Sequence, residues 1–103
     1  MKWYAIEDKI CCLVFIKNHV LNESILLESI KEAQHYGVDK KESSIRMKFS
    51  NIATLCDEYG IKISNNIKRL EHYSIQNQQE FESVLDFSFG DIVLELNRIK
   101  SQK

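Results

Sequence analysis

Basic and hydroxyl side chains concentrate between residues 40 and 52, where the sequence reads KKESSIRMKFSNI, and they are the residues best suited to contact an anionic partner. An apolar repeat runs through the same stretch at i, i+4, i+7 and i+11, formed by Ile45, Phe49, Ile52 and Cys56. This spacing is typical of one buried face of an α-helix. A helix anchored by that face would present its other side to phosphate groups. The same pattern also describes an ordinary core helix with a solvated basic face.

The chemistry predicted for this helix is DNA recognition through the major groove. Cations would contact the phosphates, and the polar side chains nearest the base edges would be an arginine and an asparagine, which commonly pair with guanine and adenine. The predicted phosphate contacts are Lys40, Lys41, Lys48 and Lys62, and the predicted base contacts are Arg46 and Asn51.

Charge is distributed unevenly along the chain. The whole sequence has a formal net charge of -1, which argues against a strongly basic nucleic-acid binder. Residues 40–72 nevertheless carry seven Lys and Arg against four acids, a net charge of +3, whereas the segments before and after are each net -2. The positive charge is therefore a local patch around the predicted recognition helix, and its steering field would be weak.

The cysteine and histidine pattern predicts neither a metal site nor a disulfide framework. The chain has three cysteines, Cys11, Cys12 and Cys56. Their odd number and the adjacency of two of them favour a reduced, cytoplasmic setting. Zinc sites need closely paired ligands, and His19, His35 and His72 are isolated. No glycine-rich phosphate loop occurs, and a dyad of Cys56 with His72 would use a cysteine on the apolar stripe. We therefore expect no cofactor and no enzymatic activity.

Turn residues are scarce, so the sequence predicts an all-α fold. Proline is absent and there are three glycines, too few for a β-sandwich or barrel. Three helices are expected, over residues 4–20, from Ser24 to Gly37, and from Ser43 or Ser44 to about Tyr59. Residues 61–76 fit either a short extended piece or one helical turn. Three helices with short connections make a compact trihelical bundle, comparable with helix-turn-helix domains.

Residues 77–100 are expected to be helical again, with Gly90 either kinking that helix or splitting it. Its apolar residues follow a heptad-like spacing of four and three. They are Leu85, Phe89, Ile92, Leu96 and Ile99. This stripe would pack on the first three helices or form the seam of a homodimer. The predicted domains are accordingly a trihelical unit with a short extension, residues 1–76, and a C-terminal helix, residues 77–103.

Two stretches of the sequence resemble a known family. Trp3 and the acidic pair Glu7-Asp8 open helix one, and SSIRMKFSNI opens helix three. They resemble the Myb/SANT-like trihelical domains that precede the catalytic part of some bacterial HNH-type and other restriction-like endonucleases, where an S-I-x-x-K-x-x-N-I pattern opens the third helix. The similarity spans residues 3–77.

In that family the domain is taken to help the protein engage DNA. The resemblance therefore implies DNA contacts at Ser43, Ser44, Arg46, Lys48 and Asn51. The chain departs from the family where Lys40-Lys41-Glu42 replaces an arginine-rich approach to the pattern. It also lacks a nuclease motif after the pattern, which predicts a free-standing domain.

Two functions are compatible with these observations. The first is a small DNA-binding helix-turn-helix module that contacts double-stranded DNA through residues 43–59. The alternative is a phage or mobile-element protein-binding module that inhibits a host defence nuclease, of the anti-CRISPR or anti-restriction type. Near-neutral charge and a small trihelical body fit the alternative, whose partner would be a nucleic-acid-handling protein.

Overall fold

A computed structural model describes residues 2–64 and 66–102, and every regular element within them is helical, which confirms the all-α class. Met1 and Lys103, the outer limits of the two predicted domains, lie outside the described residues. A π-helical segment, Ile16–Val20, continues the first α-helix. The α-helices are α1 Ala5–Phe15, α2 Leu26–Tyr36, α3 Glu42–Glu58, α4 Ile75–Val84 and α5 Phe89–Ser101.

Helix α1 lies at the centre of the fold and packs against the other four helices. Its sequence explains this position, because the run ICCLVFI from residue 10 to 16 is apolar all round, and each of its side chains is buried. A helix that is hydrophobic on every side belongs in a core. The predicted helix over residues 4–20 therefore exists, with its last five residues in π-helical form.

The π-helical segment places two polar side chains in the core between α1 and α2. Asn18 Nδ2 donates to Ser29 Oγ at 3.0 Å and to Glu32 Oε1 at 2.7 Å. His19 Nε2 lies 2.8 Å from the same Ser29 hydroxyl. These bonds satisfy buried polar groups that would otherwise destabilise the fold, and they fix α2 against the end of the first helix.

Gly37 ends α2 as predicted, whereas α2 and α3 begin one or two residues away from their predicted starts. Gly37 has φ 123°, a conformation that side chains with a Cβ rarely adopt. Helix α2 begins at Leu26 after Ile25, so Ser24 is not its N-cap. Helix α3 begins at Glu42, just before the predicted serines, and its apolar stripe from Ile45 to Cys56 is fully buried, as predicted.

The C-terminal region forms two helices, and the break precedes Gly90. Residues 85–88 separate α4 from α5, and Ser88 caps α5: its hydroxyl accepts from the Asp91 N–H, and the Asp91 carboxylate accepts from the Ser88 N–H, each at 3.1 Å. Phe81 of α4 is fully buried in the same core as α1 and α3. The division predicted between residues 76 and 77 therefore falls inside α4, within one continuous core.

The predicted dimer seam is mostly an internal surface. Ile92, Leu96 and Ile99 are buried within the chain, Leu85 is half-buried, and Phe89 is exposed. The heptad-like spacing therefore reflects packing of α5 on the rest of the chain, and these five residues together do not present an open face to a second copy. Self-association of the chain remains a separate prediction. No helix in the described part of the chain has the length and apolar character needed to cross a bilayer.

Candidate functional site

Lys48, a predicted phosphate contact, forms a buried ion pair with α1. Its Nζ lies 2.7 Å from Asp8 Oδ1, and the two residues are 7% and 0% exposed. The Trp3 ring lies over the Lys48 ammonium group, with its centroid 4.5 Å from Nζ. The second Asp8 oxygen accepts from Gln76 Nε2 at 2.7 Å, and Gln76 also donates to the Trp3 carbonyl. A contact from Lys48 to phosphate would leave a buried carboxylate unpaired, which costs several kcal/mol. Lys48 is therefore a structural residue.

Lys40 makes a second ion pair with α1, next to the first. Its Nζ lies 2.8 and 3.0 Å from the two Glu7 carboxylate oxygens and 5.2 Å from the Trp3 ring centroid. Burial opposes ionisation of Glu7, but hydrogen bonds from Lys40 and from the N–H groups of Tyr4 and Asp39 outweigh it and lower the Glu7 pKa. Lys40 is thus also held by an internal partner.

Asn51, a predicted base contact, holds an irregular segment against α3. In the amide orientation that satisfies its hydrogen bonds, its nitrogen donates to the carbonyls of Leu70 and His72, each at 3.3 Å. Thr54 Oγ1 donates to the Leu70 carbonyl at 2.8 Å, and the Leu70 N–H donates to the Ser50 carbonyl at 3.4 Å. The face of α3 that carries Ser50, Asn51 and Thr54 is therefore covered by the chain itself. A recognition helix that lies along a groove needs that face open.

The other predicted contacts lie at the surface. Lys41, Ser43 and Lys62 are exposed, and Ser44 is half-buried. Arg46 is exposed and pairs with Glu42 one turn earlier, with 3.1 Å between Nη2 and Oε2. Exposed i,i+4 pairs contribute only about 0.3–0.5 kcal/mol, so Arg46 remains available to another carboxylate or phosphate. The structure thus separates the predicted site residues into an accessible group and an internal group.

Internal pairing removes much of the positive patch that the sequence predicts. Four of the seven cations in residues 40–72 have carboxylate partners: Lys40, Arg46, Lys48 and Arg69. Arg69 donates two hydrogen bonds to the Asp57 carboxylate, from Nε at 2.6 Å and from Nη2 at 3.1 Å, and this pair lowers the Asp57 pKa. Lys41, Lys62 and Lys68 are exposed and have no ion pair within the described residues.

Met47 is the residue that the sequence pattern did not single out. Its side chain is 59% exposed on α3, between two clefts that it helps to line. The first, the Trp3 cleft, has a volume of about 360 Å³, and its lining is Trp3, Ser44, Met47, Lys48, Asn51, His72 and Ser74. The second, the Leu26 cleft, has a volume of about 480 Å³, and its lining is Leu26, Arg46, Met47, Ser50, Asn66, Ile67, Lys68 and Leu70.

We call this surface the Met47 face, defined by Met47 and the two clefts. In each of the two clefts, residues of the lining are held in place by bonds or packing within the chain. Lys48 and Asn51 are held by the bonds described above, and Ile67 is buried in the core. Arg46 and Lys68, both exposed, line the Leu26 cleft. The face therefore combines an exposed thioether, preformed apolar depressions and two accessible cations.

The cysteines are part of the core. Burial raises the thiol pKa of Cys56 to about 12 and also raises the pKa of the Cys11 and Cys12 thiols. A nucleophilic cysteine needs a lowered pKa and access to solvent, so the arrangement does not suit a Cys56–His72 dyad. Within residues 2–64 and 66–102, no group of three or more His, Cys, Asp or Glu side chains is placed to hold a metal ion.

Comparisons with protein-family models, with curated proteins and with solved structures find no match for this chain. The resemblance to Myb/SANT-like domains therefore stays an expectation from the sequence.

Proposed function

We propose that this chain is a small protein-binding module whose recognition surface is the Met47 face. The observation that carries this proposal is the 59% exposure of Met47 between two clefts with fixed floors. Methionine is flexible and polarisable, and exposed methionines are common where a protein packs against varied partners. Residues that insert into or beside well-packed depressions supply most of the energy of many protein interfaces.

The charge balance supports a protein partner over a phosphate backbone. Affinity for DNA depends on several cations that each release counterions from the phosphates. Lys40 and Lys48, two of the four predicted phosphate contacts, are neutralised by carboxylates of α1. The groups that remain accessible are the Met47 thioether, the apolar clefts and a few cations. A partner that offers apolar side chains together with a few carboxylates matches them.

A partner that handles nucleic acid fits this proposal. An inhibitor of a host defence nuclease would occupy a regulatory or nucleic-acid site of that enzyme, as the alternative function predicted from the sequence requires. A module of this kind needs a rigid body and one complementary face, and it needs no catalytic group of its own.

The experiment that tests the proposal uses wild type and two variants as baits. It compares the proteins that each bait captures from lysate of the source organism. The test variant is Met47→Glu. The matched control is Leu94→Glu, because Leu94 is 71% exposed and lies on α5. The proposal requires a protein that wild type and Leu94→Glu retain equally and that Met47→Glu loses. Equal retention by all three proteins, or no specific retention by any, would overturn it.

DNA binding remains a second candidate because exposed cations on and near α3 include four that could contact phosphates. They are Lys41, Arg46, Lys62 and Lys68. Four phosphate contacts would make the logarithm of affinity fall with the logarithm of salt concentration with a slope of about -3.6. Fluorescence anisotropy with duplex DNA at about 50 and 200 mM salt measures this dependence. Steep salt-dependent binding that the double variant Arg46→Glu/Lys68→Glu abolishes would favour DNA, and absence of duplex binding at low salt would reject it.

A further inference from the structure

Resting on the proposed function, we infer that the Met47 face takes an acidic amphipathic helix of its partner. Apolar side chains of that helix enter the clefts on the two sides of Met47, and its carboxylates meet Arg46 and Lys68. The inference commits to a partner of stated chemistry, which the following observations support in turn.

The shape of the Met47 face suits two apolar side chains of a partner, one in each cleft beside Met47. Met47 lines both the Trp3 cleft and the Leu26 cleft, so a partner that packs across it reaches a depression on either side. Side chains on one face of a helix, at i and i+4 or at i and i+7, are spaced to fill two such depressions. The Leu26 cleft has the more apolar floor, with Leu26, Ile67 and Leu70.

The preformed floor favours binding without rearrangement. On the Trp3 side, the floor includes Lys48, whose ammonium group is fixed by Asp8 at 2.7 Å. Toward the Leu26 side, Thr54 holds the Leu70 carbonyl at 2.8 Å. Because these groups already have partners, an incoming helix does not have to order them. Binding to an ordered surface loses less conformational entropy than binding to a mobile one.

Charge complementarity selects an acidic partner. Arg46 and Lys68 line the Leu26 cleft and are exposed, and Lys68 has no ion pair in the described part of the chain. The one acid paired there, Glu42, is itself exposed and contacts Arg46 at 3.1 Å. A partner carboxylate can replace Glu42 at little energetic cost because exposed pairs are weak. Like charges on the partner would be repelled, which gives specificity.

A helix is the expected form of the bound segment. Peptides that bind in extended form usually add a strand to an exposed sheet edge. Residues 2–64 and 66–102 contain no strand, so they offer no such edge. The surface is a helix flanked by clefts, and an amphipathic helix is the segment that places apolar anchors and carboxylates on adjacent faces.

A display library of randomised helical peptides tests this inference with a defined probe. The library is selected separately against wild type, Met47→Glu, Leu94→Glu and the charge-reversed double variant Arg46→Glu/Lys68→Glu. Wild type and Leu94→Glu should enrich peptides with apolar residues on one face and Asp or Glu beside them. Met47→Glu should bind those peptides about tenfold or more weakly. The double variant should enrich basic peptides in their place, an outcome that mere loss of structure cannot produce.

The outcomes separate the inference from the proposed function. Enrichment of peptides without an acidic preference, still lost in Met47→Glu, overturns the inference and leaves the protein-binding function supported. Failure of any peptide to enrich on wild type also overturns the inference, and the lysate comparison then decides the proposed function by itself. Enrichment that Met47→Glu leaves unchanged shows that the peptides bind elsewhere and contradicts both.

Discussion

The ammonium group of Lys48 lies 2.7 Å from the carboxylate of Asp8, both residues are buried, and the Trp3 ring lies over the ammonium group. This pair joins α3 to α1, so two of the residues that carry the resemblance to Myb/SANT-like domains contact each other in the core. Trp3, a third, places its ring over the Lys48 ammonium group. These three residues therefore help to hold the helices together, and Trp3 and Lys48 also line the cleft beside Met47.

Breaking this pair is expected to destabilise the fold strongly. Replacement of Lys48 by Met leaves the Asp8 carboxylate buried without its cation, which should lower the free energy of unfolding by about 3–5 kcal/mol. The double variant Asp8→Asn/Lys48→Met should recover part of that loss because it leaves no unpaired carboxylate at position 8. Urea denaturation of the three proteins measures the difference. Lys41→Met, at an exposed lysine, is the control and should stay within about 0.5 kcal/mol of wild type. A Lys48→Met protein as stable as this control would refute the structural role.

Removal of the Asn51 amide is expected to loosen residues 66–74. Asn51→Ala deletes the donor to the carbonyls of Leu70 and His72, a loss of about 1 kcal/mol. Local opening should then become about fivefold more frequent. Trypsin cleavage after Lys68 and Arg69, both exposed, reports this opening. Asn97→Ala, an exposed position on α5, should cleave like wild type, and an unchanged rate in Asn51→Ala would contradict the assignment.

Stability should depend on pH through Glu95. Hydrogen bonds from Arg98 and Lys9 lower the Glu95 pKa from 4.5 to about 2. A lowered pKa in the folded state means that the ionised group stabilises the fold above pH 4.5, and that this contribution is lost as the pH falls toward 2. Glu95→Gln should therefore be less stable than wild type at pH 7, by about 1 kcal/mol.

The pH series of chemical denaturation supplies the control for this prediction. The stability difference between wild type and Glu95→Gln should shrink as the pH falls from 4.5 toward 2, because protonation makes the Glu95 side chain as neutral as glutamine. Glu23→Gln, in the exposed connection before α2, is the matched control. A constant difference between wild type and Glu95→Gln at all pH values would show that the carboxylate charge is not responsible.

The three thiols should be inert in the native protein. Cys11, Cys12 and Cys56 are fully buried, and burial raises the pKa of each. A thiol-reactive chromogenic disulfide should give no rapid signal before unfolding and should label all three cysteines in denaturant. One thiol that reacts quickly under native conditions would contradict this packing.

The helices could be predicted from the sequence because their signals are local. Gly37 ends α2, and the buried stripe from Ile45 to Cys56 follows from its spacing. The role of Lys48 could not be assigned from its type alone, because lysine usually marks a solvated face. Its position does indicate burial: Lys48 lies three residues after Ile45 and four before Ile52, the spacing of the buried face itself.

Long-range contacts explain why the partners of the other site residues could not be predicted from the sequence. The partners of Lys40 and Lys48 are on α1, more than thirty residues away in sequence. Asn51 meets carbonyls of an irregular segment whose course has no periodic pattern to predict it. The Met47 face depends on the same segment, because Asn66, Ile67 and Lys68 form one wall of the Leu26 cleft. Local periodicity carries no information about which segment closes over α3.

Intrinsic fluorescence of Trp3 gives the most direct test of the Met47 face. Trp3 is the single tryptophan of the chain and lines the cleft beside Met47, so its emission reports occupancy of that face. Titration with an acidic amphipathic peptide selected on wild type should change the emission of wild type and of Leu94→Glu in parallel, and duplex DNA should not reproduce the change. Met47→Glu should show no change at the same peptide concentrations. An emission change of equal size and midpoint in Met47→Glu would contradict the assignment of this surface as the recognition site.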